Sequence, residues 1–211
     1  MNFRLIRIFA ATLFAAALLF ALPTAAFAQN SWTETIDAGS TIATAQTTAG
    51  PGTMIKILGS LASSTDVDIY CVNVINPPAF SAQVVCTSQA DPNIYLFRAN
   101  GTGDLMNDVC AGNGKLIPAG TVTTVGQYFI AIAPQGYMPQ SGAGAIWQTA
   151  LFTGPRAPDG AGAAGALTGW SGSGTPTTNQ AYLIQLTGAG FCASAVSSRD
   201  ATWGRLKLHH R

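Results

Sequence analysis

The chain has 211 residues, a formal net charge of +1 and only 9% charged side chains, against 48% hydrophobic ones. Charge this sparse is far below the usual ~25%, so Thr, Ser, Asn, Gln and Gly must cover the surface. Residues 29–198 hold four basic side chains (Lys56, Arg98, Lys115, Arg156) against eight acidic ones. A body that is net negative disfavours nucleic-acid binding, which needs basic side chains on phosphates.

The N-terminus predicts a cleavable export signal. Arg4 and Arg7 precede an uncharged apolar run, Ile8 to Leu22; Pro23 breaks it, and Ala26-Phe27-Ala28 supplies small residues for cleavage before Gln29. At 15 residues the run is shorter than the roughly 20 of a spanning helix. The expected organisation is therefore a signal peptide (1–28), one domain (29–198) and a basic tail (199–211), in a protein that is secreted or periplasmic and has no transmembrane anchor.

Candidate strands follow in chain order: Thr53–Leu58, Asp68–Val74, Phe80–Thr87, Ile94–Ala99, Gln127–Ala133, Ala145–Leu151 and Ala181–Thr187, with weaker extended segments at Ser31–Ile36 and Val122–Val125. Turn chemistry separates them at Asn76-Pro77-Pro78, Asn100-Gly101, Gly112-Asn113-Gly114 and Pro134–Pro139. Helix signals are nearly absent after the signal peptide. Short strands at this spacing predict an all-β sandwich, antiparallel and jelly-roll-like. Tyr70, Val72 and Val74 share one face; so do Phe80, Ala82, Val84 and Cys86, then Tyr128, Ile130 and Ile132, and finally Tyr182, Ile184 and Leu186. These stripes read as core, with a sugar-stacking platform as the alternative. Gly154–Gln180 reads as a long excursion whose one large aromatic, Trp170, is either a lid on the core or an exposed binding residue.

Four cysteines in an oxidising compartment, with no CxxC pair, predict two disulfides. The favoured pairing is Cys71–Cys192 with Cys86–Cys110, the first worth on the order of 4–5 kcal/mol by loop closure. The runner-up pairs Cys71 with Cys86 across a hairpin.

Three blocks resemble bacterial pre-peptidase C-terminal domains. They are Asp66-Val67-Asp68-Ile69-Tyr70, then Asp91-Pro92-Asn93-Ile94-Tyr95-Leu96-Phe97 with Asn100-Gly101, and Gly126-Gln127-Tyr128-Phe129-Ile130-Ala131-Ile132. They stand in family order between residues 53 and 133. The resemblance, closest to stand-alone secreted forms, implies a jelly-roll-like sandwich. It also implies a non-catalytic accessory role, with calcium, matrix proteins or polysaccharides as ligands in some relatives. No protease domain accompanies these blocks, so an accessory role within the same chain is not expected.

Catalytic chemistry is thinly supplied. The only histidines are His209 and His210, so Ser-His-Asp and Cys-His arrangements lack their base in the body, as do His-rich zinc sites. Glu34 is the only glutamate, and no spacing selects an acid pair for a carboxylate-dependent hydrolase, which stays as the enzymatic alternative. Calcium fits the acids better, because it takes six to eight oxygens from loops. The expected ligands are Asp66, Asp68, Asp104, Asn107 and Asp108; the alternative is that they are solvated turn residues. The function that follows is a secreted, non-enzymatic binding or structural module for an extracellular protein or polysaccharide, with or without calcium. The tail carries Trp203, Leu206 and half of the Lys and Arg side chains of the mature chain, and is expected to be either a solvated end or a segment that contacts the envelope or a sorting partner.

Overall fold

The computed structural model describes residues 30–85, 91–109, 114–148, 154–172, 174 and 180–194. The signal peptide, Cys86, Cys110 and the tail with Trp203 lie outside the described residues. The strands are β1 (Ser31–Thr33), β2 (Gln46–Thr47), β3 (Ala49–Gly50), β4 (Thr53–Leu61), β5 (Asp68–Val74), β6 (Ser81–Val85), β7 (Asn93–Arg98) and β8 (Gly103–Asn107). They continue as β9 (Gly114–Ile117), β10 (Gly126–Ala133), β11 (Tyr137–Ser141), β12 (Gly144–Ala145), β13 (Gly169–Gly172), β14 (Gln180–Phe191) and β15 (Ala193–Ser194). Two single 3-10 turns, Ile42–Thr44 and Pro77–Ala79, are the helical elements among the described residues.

One long strand organises the sandwich. Up to Gln185, β14 pairs antiparallel with β4, and over Ile184–Thr187 with β6 on its other side. A register shift follows, where Gly188 takes a left-handed φ of 63° beside the backbone of Asn76 and Phe80. Beyond it β14 pairs with β4 again at Ala189 and Gly190, and with β5 through Ala189–Phe191. The shift bends the strand from one leaf into the other, as bulges do. One leaf runs β1-β4-β14-β6-β9; the other runs β14-β5-β10-β7-β8.

Tyr70, Val72, Val74, Ile94, Leu96, Tyr128, Ile130 and Ile132 from the second leaf pack against Met54, Ile57, Ala82, Val84, Tyr182, Ile184 and Leu186 from the first. The described residues of the expected stripes are therefore core. Alternation understates what the second leaf buries. Its outer face carries Ile69, Cys71, Tyr95, Phe97, Phe129 and Ala131, covered by Met138, Ile146, Trp147 and Leu167 from the excursion that follows β10. Strands covered on both faces read as continuous apolar runs, and Ile94–Phe97 is one.

The all-β sandwich stands, with corrections. The pairing is mixed, because β1 runs parallel to β4, β2 to β5 and β15 to β3. Val122–Val125 is not a strand, and of the described part of the expected strand Ala145–Leu151, residues 145–148, only Ala145 is in one; Ile146 and Trp147 leave the ladder to plug the second apolar layer. Strands β8, β9, β11 and β13 were not expected; they are short and rich in Gly, Asp, Asn or Pro. Cys71 is bonded to Cys192 at a Cα–Cα distance of 5.5 Å, so the Cys71–Cys86 alternative fails. Among the described residues β5 pairs with β2, β10 and β14 and not with β6, so β5 and β6 do not form the expected hairpin. Buried Thr48 fastens the bridge: its hydroxyl donates to the Cys71 carbonyl at 2.7 Å and accepts from the Cys192 N–H at 3.0 Å.

Candidate metal centre

Where β1 runs beside β4, its parallel course continues past its end, with the Glu34 N–H donating to the Leu58 carbonyl at 2.9 Å. Residues 34–39 then pass over the start of β5, where the Ile69 N–H donates to the Gly39 carbonyl. Gln46 holds this segment in place. It accepts from the Trp32 indole at 2.6 Å and donates to the Ile36 carbonyl at 2.9 Å. Glu34 and Asp37 are thereby set against Asp68, the first residue of β5. Ligand oxygens of the three carboxyls all lie within 4.8 Å of one another. Glu34 and Asp37 line an open pocket of about 320 Å³ with Thr35, Ser60 and Asp66, while Asp68 is buried beside it.

The environments of these acids differ. Asp66 is spent on its own loop, accepting from the Ala62 N–H. Glu34 accepts from the Ala38 and Ser60 N–H groups at 3.1 and 2.9 Å, which fixes its carboxylate with lone pairs to spare. Asp68 is fully buried. Its Oδ2 accepts from the Tyr182 hydroxyl at 2.6 Å, and Tyr182 in turn sits 2.7 Å from the Tyr70 hydroxyl. Its Oδ1 meets no N–H or O–H donor. Gly59 on β4 makes room for this stack, since a Cβ there would collide with both tyrosine hydroxyls.

Burial pushes the Asp68 carboxyl up to about 8; the Tyr182 hydrogen bond opposes the rise, and the charges of Glu34 and Asp66 add to it. Burial likewise raises both tyrosines, so they stay protonated and able to donate. A buried carboxylate with a bare oxygen beside other acids has two ways to be satisfied: a shared proton or a cation. The donor set is oxygen only, which suits a hard ion such as calcium.

Of the five expected ligands, Asp68 is in the carboxylate group, and Asp66 lines the adjoining pocket without being part of that group. Asp104, Asn107 and Asp108 lie elsewhere, because β8 lies three strands from β5, roughly 14 Å at the usual strand spacing. Asp104 is paired with Arg98 and Asp108 with Arg156, while Asn107 donates to the Leu116 carbonyl and accepts from the Val109 N–H. Glu34 and Asp37 were missed; nothing in the sequence announces that β1 lies parallel to β4. Trp170 covers the second apolar layer. It packs edge-on against Tyr95 at 5.4 Å, stacks on Tyr137 and donates to the Ser40 carbonyl at 2.7 Å.

The converging acids are poorly placed for hydrolysis. A glycosidase pair leaves a sugar between its carboxyls, about 5–5.5 Å apart or more. Here the oxygens are closer than that, and Asp68 has no exposed surface to offer a substrate. No helix among the described residues is long and apolar enough to cross a membrane.

No protein-family model matches the chain, and no curated protein matches it. A solved structure, the PliG protein of Aeromonas hydrophila, described as a periplasmic lysozyme inhibitor of g-type lysozyme, is similar over 74% of this chain and 96% of that one. The identity is 10% and the TM-score 0.30, a likeness too distant to argue from.

Proposed function

We propose that the chain is an exported, non-catalytic binding module of pre-peptidase C-terminal type, with a calcium ion held by Glu34, Asp37 and Asp68. The observation that carries the calcium site is fully buried Asp68, whose Oδ1 meets no N–H or O–H donor and whose carboxyl lies within 4.8 Å of those of Glu34 and Asp37. Calcium accepts this set because it tolerates irregular coordination and bidentate carboxylates, whereas magnesium demands a near-octahedral shell. Bound there, it would join the N-terminal segment to the start of β5 by charge. Export is supported by the N-terminal signal sequence and by the Cys71–Cys192 bridge, which persists in oxidising compartments. The partner class is an extracellular protein or polysaccharide.

Terbium reports on the site directly, since it substitutes for calcium and is sensitised by nearby tyrosines such as Tyr70 and Tyr182. Excitation of the aromatic groups should give terbium emission that calcium displaces, and Glu34→Gln should abolish it. Emission that survives in Glu34→Gln would place the ion elsewhere, and no emission at all would remove the site.

A further inference from the structure

Lys115 is fully buried, which is rare for a lysine. It stands on β9, opposite inward-facing Val84 of β6, at the edge of the first leaf. Its Nζ crosses to the start of β7 in the second leaf. There it donates to Asn93 Oδ1 at 2.8 Å and to the Asp91 carbonyl at 3.1 Å, and lies 2.8 Å from Asp91 Oδ1. Asn93 is buried as well, and its Nδ2 donates to the Tyr95 hydroxyl at 3.1 Å. An amine, a carboxamide and a carboxylate thus meet where the two leaves come together, with most of the group removed from water.

We propose that Lys115 and Asn93 are joined by an intramolecular isopeptide bond, a covalent tie between β9 and β7 across the sandwich. The Nζ of neutral Lys115 attacks Asn93 Cγ. The new Nζ–Cγ bond forms, the Cγ–Nδ2 bond breaks, and one molecule of ammonia leaves. Lys115 first gives its ammonium proton to Asp91. After attack, the proton that Nζ still has to lose reaches Nδ2 through the same carboxyl, so nothing is oxidised or reduced and no co-reactant is needed. Asp91 suits this shuttle because its side chain is 43% exposed and touches both the amine and water. Burial favours the uncharged amine and lowers its pKa, although the Asp91 charge opposes the shift. Holding the groups in contact converts a very slow bimolecular amide exchange into an intramolecular one, where effective molarities reach about 10⁵–10⁸ M. The product exchanges a buried charge for a neutral amide.

Peptide mapping of the reduced, denatured, exported protein decides the matter. Trypsin does not cut after a lysine whose Nζ is an amide, so residues 57–98, which carry Asn93, should emerge joined to residues 99–156 and lighter than the pair by one ammonia. Asn93→Ala should restore cleavage after Lys115. Mapping is needed rather than intact mass, because cyclisation of an N-terminal Gln29 also sheds ammonia. A linear 99–115 peptide as the main product in wild type would overturn the proposal. A branched peptide lighter by one water, linked through Asp91, would overturn the assignment to Asn93.

Discussion

Asp68 is the residue on which the candidate site turns, and its protonation gives the metal-free protein a distinctive pH response. Unfolded, its carboxyl titrates near 3.8; folded without a cation, it holds its proton up to about pH 8. Between those values folding takes up a proton. Stability therefore falls as pH rises, by at most about 1.4 kcal/mol per pH unit from this group, and the loss levels off above the folded value. Asp68→Asn keeps an oxygen for the Tyr182 hydroxyl and removes the charge. Denaturant unfolding in chelator, from about pH 5 to pH 8, should show a falling stability in wild type and a much flatter profile in Asp68→Asn. Parallel profiles would mean that Asp68 does not titrate in this range.

At the scale of elements, β4 supplies the space that Asp68 needs. A glycine inside a strand ordinarily weakens it, yet Gly59 sits where any Cβ would strike the hydroxyls of Tyr70 and Tyr182. Both rings are buried and cannot swing aside. Gly59→Ala should lower stability by about 1–3 kcal/mol, as overpacked cores do, and weaken calcium binding by drawing Tyr182 away from Asp68. A variant with wild-type melting and affinity would contradict the packing described for β4.

The central strands were legible because their signals are local. Asp68–Val74 has the bounds read from the sequence, and Gln127–Ala133 begins one residue late. What local signals miss is pairing between distant segments. Glu34 and Asp37 lie about thirty residues from Asp66 and Asp68, and only the parallel course of β1 along β4 brings them together. The same limit applied to Asp104 and Asp108: both read as loop acids in the sequence, and the strand that holds Asp104 and the arginine partners of both show only in the fold.

Across the whole molecule, closure depends on a few long-range ties. β14 belongs to both leaves, and Cys71–Cys192 fixes its end to β5 over a separation of 121 residues. Trp170 seals the outer layer by reaching back to Ser40. At the acidic pocket the N-terminal segment meets the sandwich through like charges, so an ion there should act on the stability of the entire domain. A ligand bound only by the folded state stabilises it in proportion to the logarithm of its concentration over Kd, about 2.7 kcal/mol at a hundredfold excess. The most direct measurement is the melting temperature of the exported protein in calcium and in chelator, beside Glu34→Gln under the same conditions. Wild type should melt several degrees higher in calcium, lose that gain in chelator, and show no difference when Glu34 is replaced. Equal melting of wild type in calcium and in chelator would contradict the metal centre.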